Sequence, residues 1–159
     1  VLLVGDDGVL DASEYAGLPG GALPDIDVRR EVAAIELVIR AAEDGILRSA
    51  HDVSGGGLAV ALAECAMAGG IGATAQVGPG RRDDEVAFGE GGGRMLVTVA
   101  PDDADRFFAL CDPQVPVQVR RVGEDGGDAV TLRVGDRAAS LRIDRARAAY
   151  ERGLPEALA

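Results

Sequence analysis

The chain has 159 residues, enough to enclose one hydrophobic core. Hydrophobic residues make up 47%, which excludes a disordered segment, and a formal net charge of −11 argues against nucleic acid or an anionic membrane as partner. Aromatic residues are only 3% and Trp is absent, so the core must be built from Ala, Val, Leu and Ile.

Residues 1–4 are all apolar and read as a strand, closed by the turn Gly5-Asp6-Asp7-Gly8. A chain that opens on Val inside a strand is expected to be a piece of a longer one. Residues 9–26 are irregular, with one helical turn at Ser13-Glu14-Tyr15-Ala16 and a break at Leu18-Pro19-Gly20-Gly21. A loop of that length in a compact domain is either functional or packs against another part of the protein. Asp27 suits an N-cap, and Val28, Val32, Ile35, Ile39 and Ala42 then recur at helical spacing up to Gly45. The helix is amphipathic, and its charged face (Arg29, Arg30, Glu36, Arg40, Glu43) is expected in solvent.

The stretch 46–70 organises the rest. A short strand runs through Ala50-His51-Asp52-Val53-Ser54, three glycines follow at Gly55, Gly56 and Gly57, and an almost wholly apolar helix ends at Gly69-Gly70. Consecutive glycines let the backbone come close to whatever sits above the turn, and the next helix points its first N–H groups at the same spot. That arrangement suits an anion such as phosphate. It equally suits a tight corner with no ligand, and the string matches neither established glycine fingerprint for nucleotides.

A strand at 71–77 and a surface loop at 78–82 come next. A short helical turn opens at Asp83-Asp84-Glu85, followed by a second glycine-rich corner, Phe88-Gly89-Glu90-Gly91-Gly92-Gly93-Arg94, and a strand at 95–99. This corner reads as a ligand edge or as a plain loop turn. Pro101-Asp102-Asp103 starts a helix with Phe107, Leu110 and Cys111 inward. A half-buried strand at 115–122, a turn at 124–128 and a hairpin partner at 129–134 follow. Gly135-Asp136 turns into a strand at 139–143, and Asp144 caps a last helix, 145–152, anchored by Tyr150. Helices interleaved with strands in this order predict a single α/β (α+β) domain with a mixed sheet.

Little catalytic chemistry is visible. His51 is the sole histidine, too few for an ordinary zinc site. His51, Asp52 and Ser54 adjoin along a strand, where neighbours point to opposite faces, so they do not form a hydrolase triad. Asp52 and Ser54 share a face at the mouth of the turn, where they either cap the loop or touch a ligand or its Mg²⁺. Glu90 and Arg94 either pair or reach a ligand. Cys65 and Cys111 read as buried free thiols, which fits a cytoplasmic location. No apolar run reaches membrane length.

The run Ala50-His51-Asp52-Val53-Ser54-Gly55-Gly56-Gly57-Leu58-Ala59-Val60-Ala61-Leu62-Ala63-Glu64 resembles a signature of phosphoribosylformylglycinamidine synthase, A-H-D-V-S-D-G-G-L-A-V-A-L-A-E. Ser13-Glu14-Tyr15 is similar to that family's G-S-E-Y, Ala68-Gly69-Gly70-Ile71-Gly72-Ala73 to A-G-G-L-G-A, and Phe88-Gly89-Glu90 with Gly93-Arg94 to F-G-E-S-x-G-R. The resemblance implies a three-layer α/β/α domain with a mixed sheet, of the aminoimidazole ribonucleotide synthetase C-terminal type. The H-D-V-S form implies the last domain of the enzyme's second half. The implied enzyme is an ATP- and Mg²⁺-dependent ligase of purine biosynthesis. It converts formylglycinamide ribonucleotide and glutamine-derived ammonia into the amidine, working with a glutaminase subunit and a small accessory subunit. Most nucleotide, metal and catalytic groups would lie in domains preceding this one, so the resemblance implies no catalytic residue and no metal ligand here, and an isolated domain without activity. The implied phosphate, nucleotide or substrate loop comprises Asp52, Ser54, Gly55, Gly56, Gly57, Gly89, Glu90, Gly91 and Arg94. Gly55 stands where the family usually has Asp, and Gly91 where it usually has Ser, so each position lacks a polar group. Two further readings stand beside this one: a non-catalytic phosphate-binding or scaffolding module, and a related enzyme of the same superfamily, such as aminoimidazole ribonucleotide synthetase or a hydrogenase-maturation factor.

Overall fold

A computed structural model describes residues 1–11, 13–17, 25–78, 82–115 and 117–158. The break expected at Leu18-Pro19-Gly20-Gly21 and the centre of the 78–82 loop lie outside these residues. In chain order the elements are β1 (Leu2–Val4), α1 (Val28–Glu43), β2 (Leu47–Asp52), α2 (Gly57–Gly69), β3 (Ala73–Val77) and α3 (Asp83–Phe88). There follow β4 (Met95–Val99), a 3-10 turn (Pro101–Asp103), α4 (Ala104–Ala109), β5 (Val119–Arg121), β6 (Gly123–Asp125), β7 (Ala129–Val134), β8 (Arg137–Arg142) and α5 (Ile143–Ala157).

The α/β class is as the sequence predicts, but the strands form two sheets rather than one. The first has the order β2-β4-β1-β5, and every pair in it is antiparallel. The second has the order β6-β3-β7-β8; it is mixed, with β3 and β7 parallel and Ala75 opposite Leu132. The chain changes sheets at Val122, a single buried residue between β5 and β6. Its N–H donates to the Val1 carbonyl beside the first sheet, and its carbonyl accepts the Gln76 N–H of the second. A Cβ at Gly123 would lie 2.8 Å from the Ala75 Cα, so only glycine lets the strand cross so closely.

This crossing overturns the hairpin expected between 115–122 and 129–134. β5 pairs with β1, while β7 pairs with β3 and β8. The start of the turn expected at 124–128 is instead the strand β6. Tyr150 does not anchor α5, being 68% exposed; Ala146 is the buried contact, and Arg147 donates to the Met67 carbonyl at the end of α2.

Two cores flank the antiparallel sheet. On one side Leu2, Val4 and Val97 meet Ala34, Leu37 and Ala41 of α1 and Phe107 of α4. On the other, Leu3 and Leu96 meet Leu58, Ala61 and Leu62 of α2, which also cover Ala75 and Leu132 of the second sheet. α2 is thus interior, as its all-round apolar sequence requires. Asp27 caps α1 as expected, its Oδ1 accepting the Arg29 N–H at 3.0 Å and the Arg30 N–H at 3.3 Å. The faces of α1 are not as the strongest periodicity suggests. Small Ala34 and Ala41 with Leu37 pack on the sheet, while Val28, Val32, Ile35 and Ile39 face outward. Among the described residues no helix is long and apolar enough to cross a membrane.

Candidate functional site: two glycine corners closed by Glu90

The strand β2 delivers the first corner and α3 the second, and the two corners adjoin. Val53 N–H donates to the Arg94 carbonyl at 2.9 Å, and Gly56 N–H donates to Glu90 Oε1 at 2.9 Å. The sheet they rim is the antiparallel one. Gly56 and Gly57 both take positive φ, +83° and +68°, which leads the chain into α2. A Cβ on Gly57 would stand 2.7 Å from the Phe88 carbonyl carbon and 2.8 Å from the Gly89 oxygen, so the corners touch backbone to backbone.

A third segment straps across them. Val9 and Glu90 exchange both backbone hydrogen bonds, at 2.9 and 2.8 Å. The chain then turns at Ser13, a fully buried hydroxyl that donates to the Leu10 carbonyl and accepts the Ala16 N–H. Tyr15 stacks flat on Phe88 with ring centroids 4.4 Å apart. Glu14 N–H donates to Glu90 Oε1 at 2.8 Å. One carboxylate oxygen therefore accepts an N–H from the entrance of α2 and another from the strap. The spot where a helix N-terminus and a glycine turn invite an anion already holds one, supplied by the chain itself.

Arg94 faces another way. It is buried to 4% exposure, and its Nη1 donates to the Gly89 carbonyl at 2.7 Å, while its Nε has no partner among the described residues. Burial pushes its guanidinium below the ordinary value, Asp7 partly opposes this, and the nearby Arg120, itself paired with Asp7 at 2.5 Å, adds to the fall. Gly8 lies over this guanidinium so closely that a Cβ there would meet Nη1 at 2.6 Å. Arg94 and Glu90 do not pair with each other; each fastens backbone.

Of the other candidate residues, Asp52 and Ser54 are exposed at the end of β2, and the Ser54 carbonyl accepts the Gly57 N–H at 2.9 Å. Gly55 is exposed, and a Cβ there would meet only the Glu14 Cγ, at 3.7 Å. Gly89 ends α3, and Gly91 has room for a side chain, its nearest neighbour being the Gly8 Cα at 3.6 Å from a Cβ. The cleft beside Gly91, Gly92 and Gly93 is lined by Asp6, Asp7, Asp25, Asp27 and Glu31, with Arg30 paired to Asp6 at 2.6 Å, so its lining is mainly acidic. His51 Nδ1 lies 2.6 Å from the Asp52 carbonyl oxygen and Nε2 3.8 Å from Glu64, and no described hydrogen bond joins it to Ser54. Cys65 is a free thiol raised above its ordinary range by burial and by Glu64, which suits a packing role rather than a nucleophile. Sequence reasoning did not foresee Gly8 and Val9 as parts of this corner. The glycine-bounded acidic turn beside them is the signal that marks a close approach.

An α/β domain with a buried central helix, entered through two glycine corners locked by an internal carboxylate, is the class that fold and site define. Residues 1–134 match the family described as AIR synthase related protein, C-terminal domain, and the chain belongs to that family. Phosphoribosylformylglycinamidine synthase subunit PurL of Anaeromyxobacter sp. (strain Fw109-5) is 38% identical over 173 residues, covering 99% of this chain and 22% of the relative. The chain thus spans about a fifth of the length of that relative. In fold it is similar to Thermotoga maritima PurL complexed with FGAR (TM-score 0.75, 21% identity, 91% of this chain and 27% of that one). It is likewise similar to T. maritima PurL complexed with ATP (TM-score 0.73, 19% identity, 91% and 25%).

Proposed function

We propose that the chain is the AIR-synthase-type C-terminal domain of an amidine-forming, ATP-dependent ligase of purine biosynthesis, and that it is the last domain of that enzyme's second half. Its work there is structural: it completes the enzyme core and presents a rigid corner to the preceding domains. The glutaminase and the small accessory subunit are partners of that whole enzyme. The observation that carries the reading is the convergence of segments 13–15, 51–57 and 88–94 on the Glu90 carboxylate, in a chain matching the family over most of its length.

The residues present do not fit a nucleotide phosphate at the first corner. The Gly56 and Gly57 N–H groups are already satisfied, by Glu90 and by the Ser54 carbonyl. Mg²⁺ finds few donors at this corner, where Glu90 Oε1 is already shared by two N–H groups. Gly55 adds no ligand next to Glu14. ATP, Mg²⁺ and the reacting groups then belong to the part of the enzyme that this chain does not span.

The test is an assay with formylglycinamide ribonucleotide, ATP, Mg²⁺ and ammonia. The chain alone should give no turnover, and activity should appear when the remaining part of the synthetase is supplied in trans. Turnover by the chain alone would overturn the structural role, and a synthetase remainder equally active without it would overturn the placement. Calorimetry with ADP, with and without Mg²⁺, should show no heat of binding; micromolar binding would restore the corner as a nucleotide site.

A further inference from the structure

α1 has a second apolar face that the described residues leave about half exposed or more. Val28, Val32, Ile35 and Ile39 stand 65%, 46%, 49% and 50% exposed, in line along a helix of 16 residues. Their spacing of four, three and four is that of the seam between two packed helices. Four aligned β-branched side chains are a patch, unlike the single apolar residues scattered over ordinary surfaces. An apolar groove runs alongside, between α1 and the segment after α4, with Val32, Leu37, Cys111, Val115 and Val117 in its walls.

We propose that this face pairs with α1 of a second copy of the chain, the two helices antiparallel. Reversing the helix about the midpoint of the seam sets Val28 against Ile39 of the other copy and Val32 against Ile35, so the seam is complementary to itself, as a two-fold interface requires. The same register brings Arg29 beside Glu36 of the other copy, and the two-fold axis makes that contact twice. Among the described residues neither side chain has an ion-pair partner within its own chain. A parallel pair would instead set Glu31 against Glu36, again twice, and repel. The contact is one helix pair about 24 Å long at 1.5 Å per residue. One helix pair is a smaller contact than a standard interface of roughly 800 Å² per partner, so the expected association is weak and depends on concentration.

Sedimentation equilibrium on the full chain, from low to high micromolar concentration, tests this. The expected result is a concentration-dependent monomer–dimer equilibrium that Ile35→Glu abolishes with the circular dichroism spectrum and Tm of the monomer unchanged, because Ile35 is outside the core. Arg29→Glu and Glu36→Arg should each weaken the dimer by roughly tenfold, and the double variant should restore it, since the paired charges are then exchanged rather than opposed. A chain that stays monomeric throughout overturns the pairing and leaves the face to a different protein segment. A dimer indifferent to Ile35→Glu, or a double variant no better than the singles, overturns it as well.

Discussion

Glu90 holds the corner through one oxygen. Its Oε1 accepts N–H groups from Gly56 and Glu14, which lie 34 and 76 positions away in the chain. Hydrogen bonds to a charged acceptor are worth more than neutral ones, so Glu90→Ala should cost about 1.5–3 kcal/mol, read as a shift of the urea midpoint. Glu90→Gln keeps an acceptor oxygen in place and should lose less. The alanine variant also clears the entrance of α2, so inorganic phosphate should raise its Tm more than it raises that of the unaltered chain. A phosphate response equal in both would mean that the carboxylate is not what keeps the helix end closed.

The glycines of the same corner are not equivalent. Gly57 combines φ +68° with backbone of the facing corner 2.7 Å from any Cβ, whereas Gly55 has open space around it. Gly57→Ala should destabilise by more than about 2 kcal/mol through strain and displacement of the second corner, and Gly55→Ala should stay within about 0.5 kcal/mol. Parallel urea titrations of the two variants give the comparison. That these residues build a corner was legible in the sequence, because three glycines between an apolar strand and an apolar helix leave few alternatives. The closure by Glu90 was not, because its two donors come from distant segments and backbone N–H groups leave no mark in a sequence.

At the level of elements, α1 shows where periodicity runs out. The helix itself was legible from Asp27 to Gly45, and cap and stop are where the residues put them. Its inward face was not, since the sequence carries two apolar stripes, one through Val28, Val32, Ile35 and Ile39 and one through Ala34, Leu37 and Ala41. The sheet takes the stripe with small residues because alanines let a helix axis approach closely, and the β-branched stripe is left outside. Leu37→Ala should therefore cost about 2–4 kcal/mol by chemical denaturation, and Ile35→Ala less than about 0.5 kcal/mol in the monomer. The reverse order would restore the sequence reading of the helix. β5 and β6 failed to be legible for a related reason. Strands of 3 residues each, on either side of Val122, carry too short an alternation to reveal a change of sheet.

On the scale of the whole molecule, α2 couples the two sheets. Leu62 is 2% exposed and belongs to the core that Leu3 and Leu96 of the antiparallel sheet share with Ala75 and Leu132 of the mixed one. Val86, Ala87 and Phe88 of α3 join the same core, so separating the sheets exposes both sides of it at once. A domain built this way is expected to unfold as a unit, because both sheets lose the core they share when α2 leaves. Leu62→Ala should lower stability by about 2–5 kcal/mol while the transition stays single. The measurement is native-state hydrogen exchange of amides in β1 and β4 against those in β3 and β7, with far-UV circular dichroism on the same samples. Equal loss of protection in both sets, tracking the global midpoint, is the expected outcome. If instead the amides of β3 and β7 open at a lower free energy than those of β1 and β4, the second sheet is an independent folding unit and α2 belongs energetically to the first.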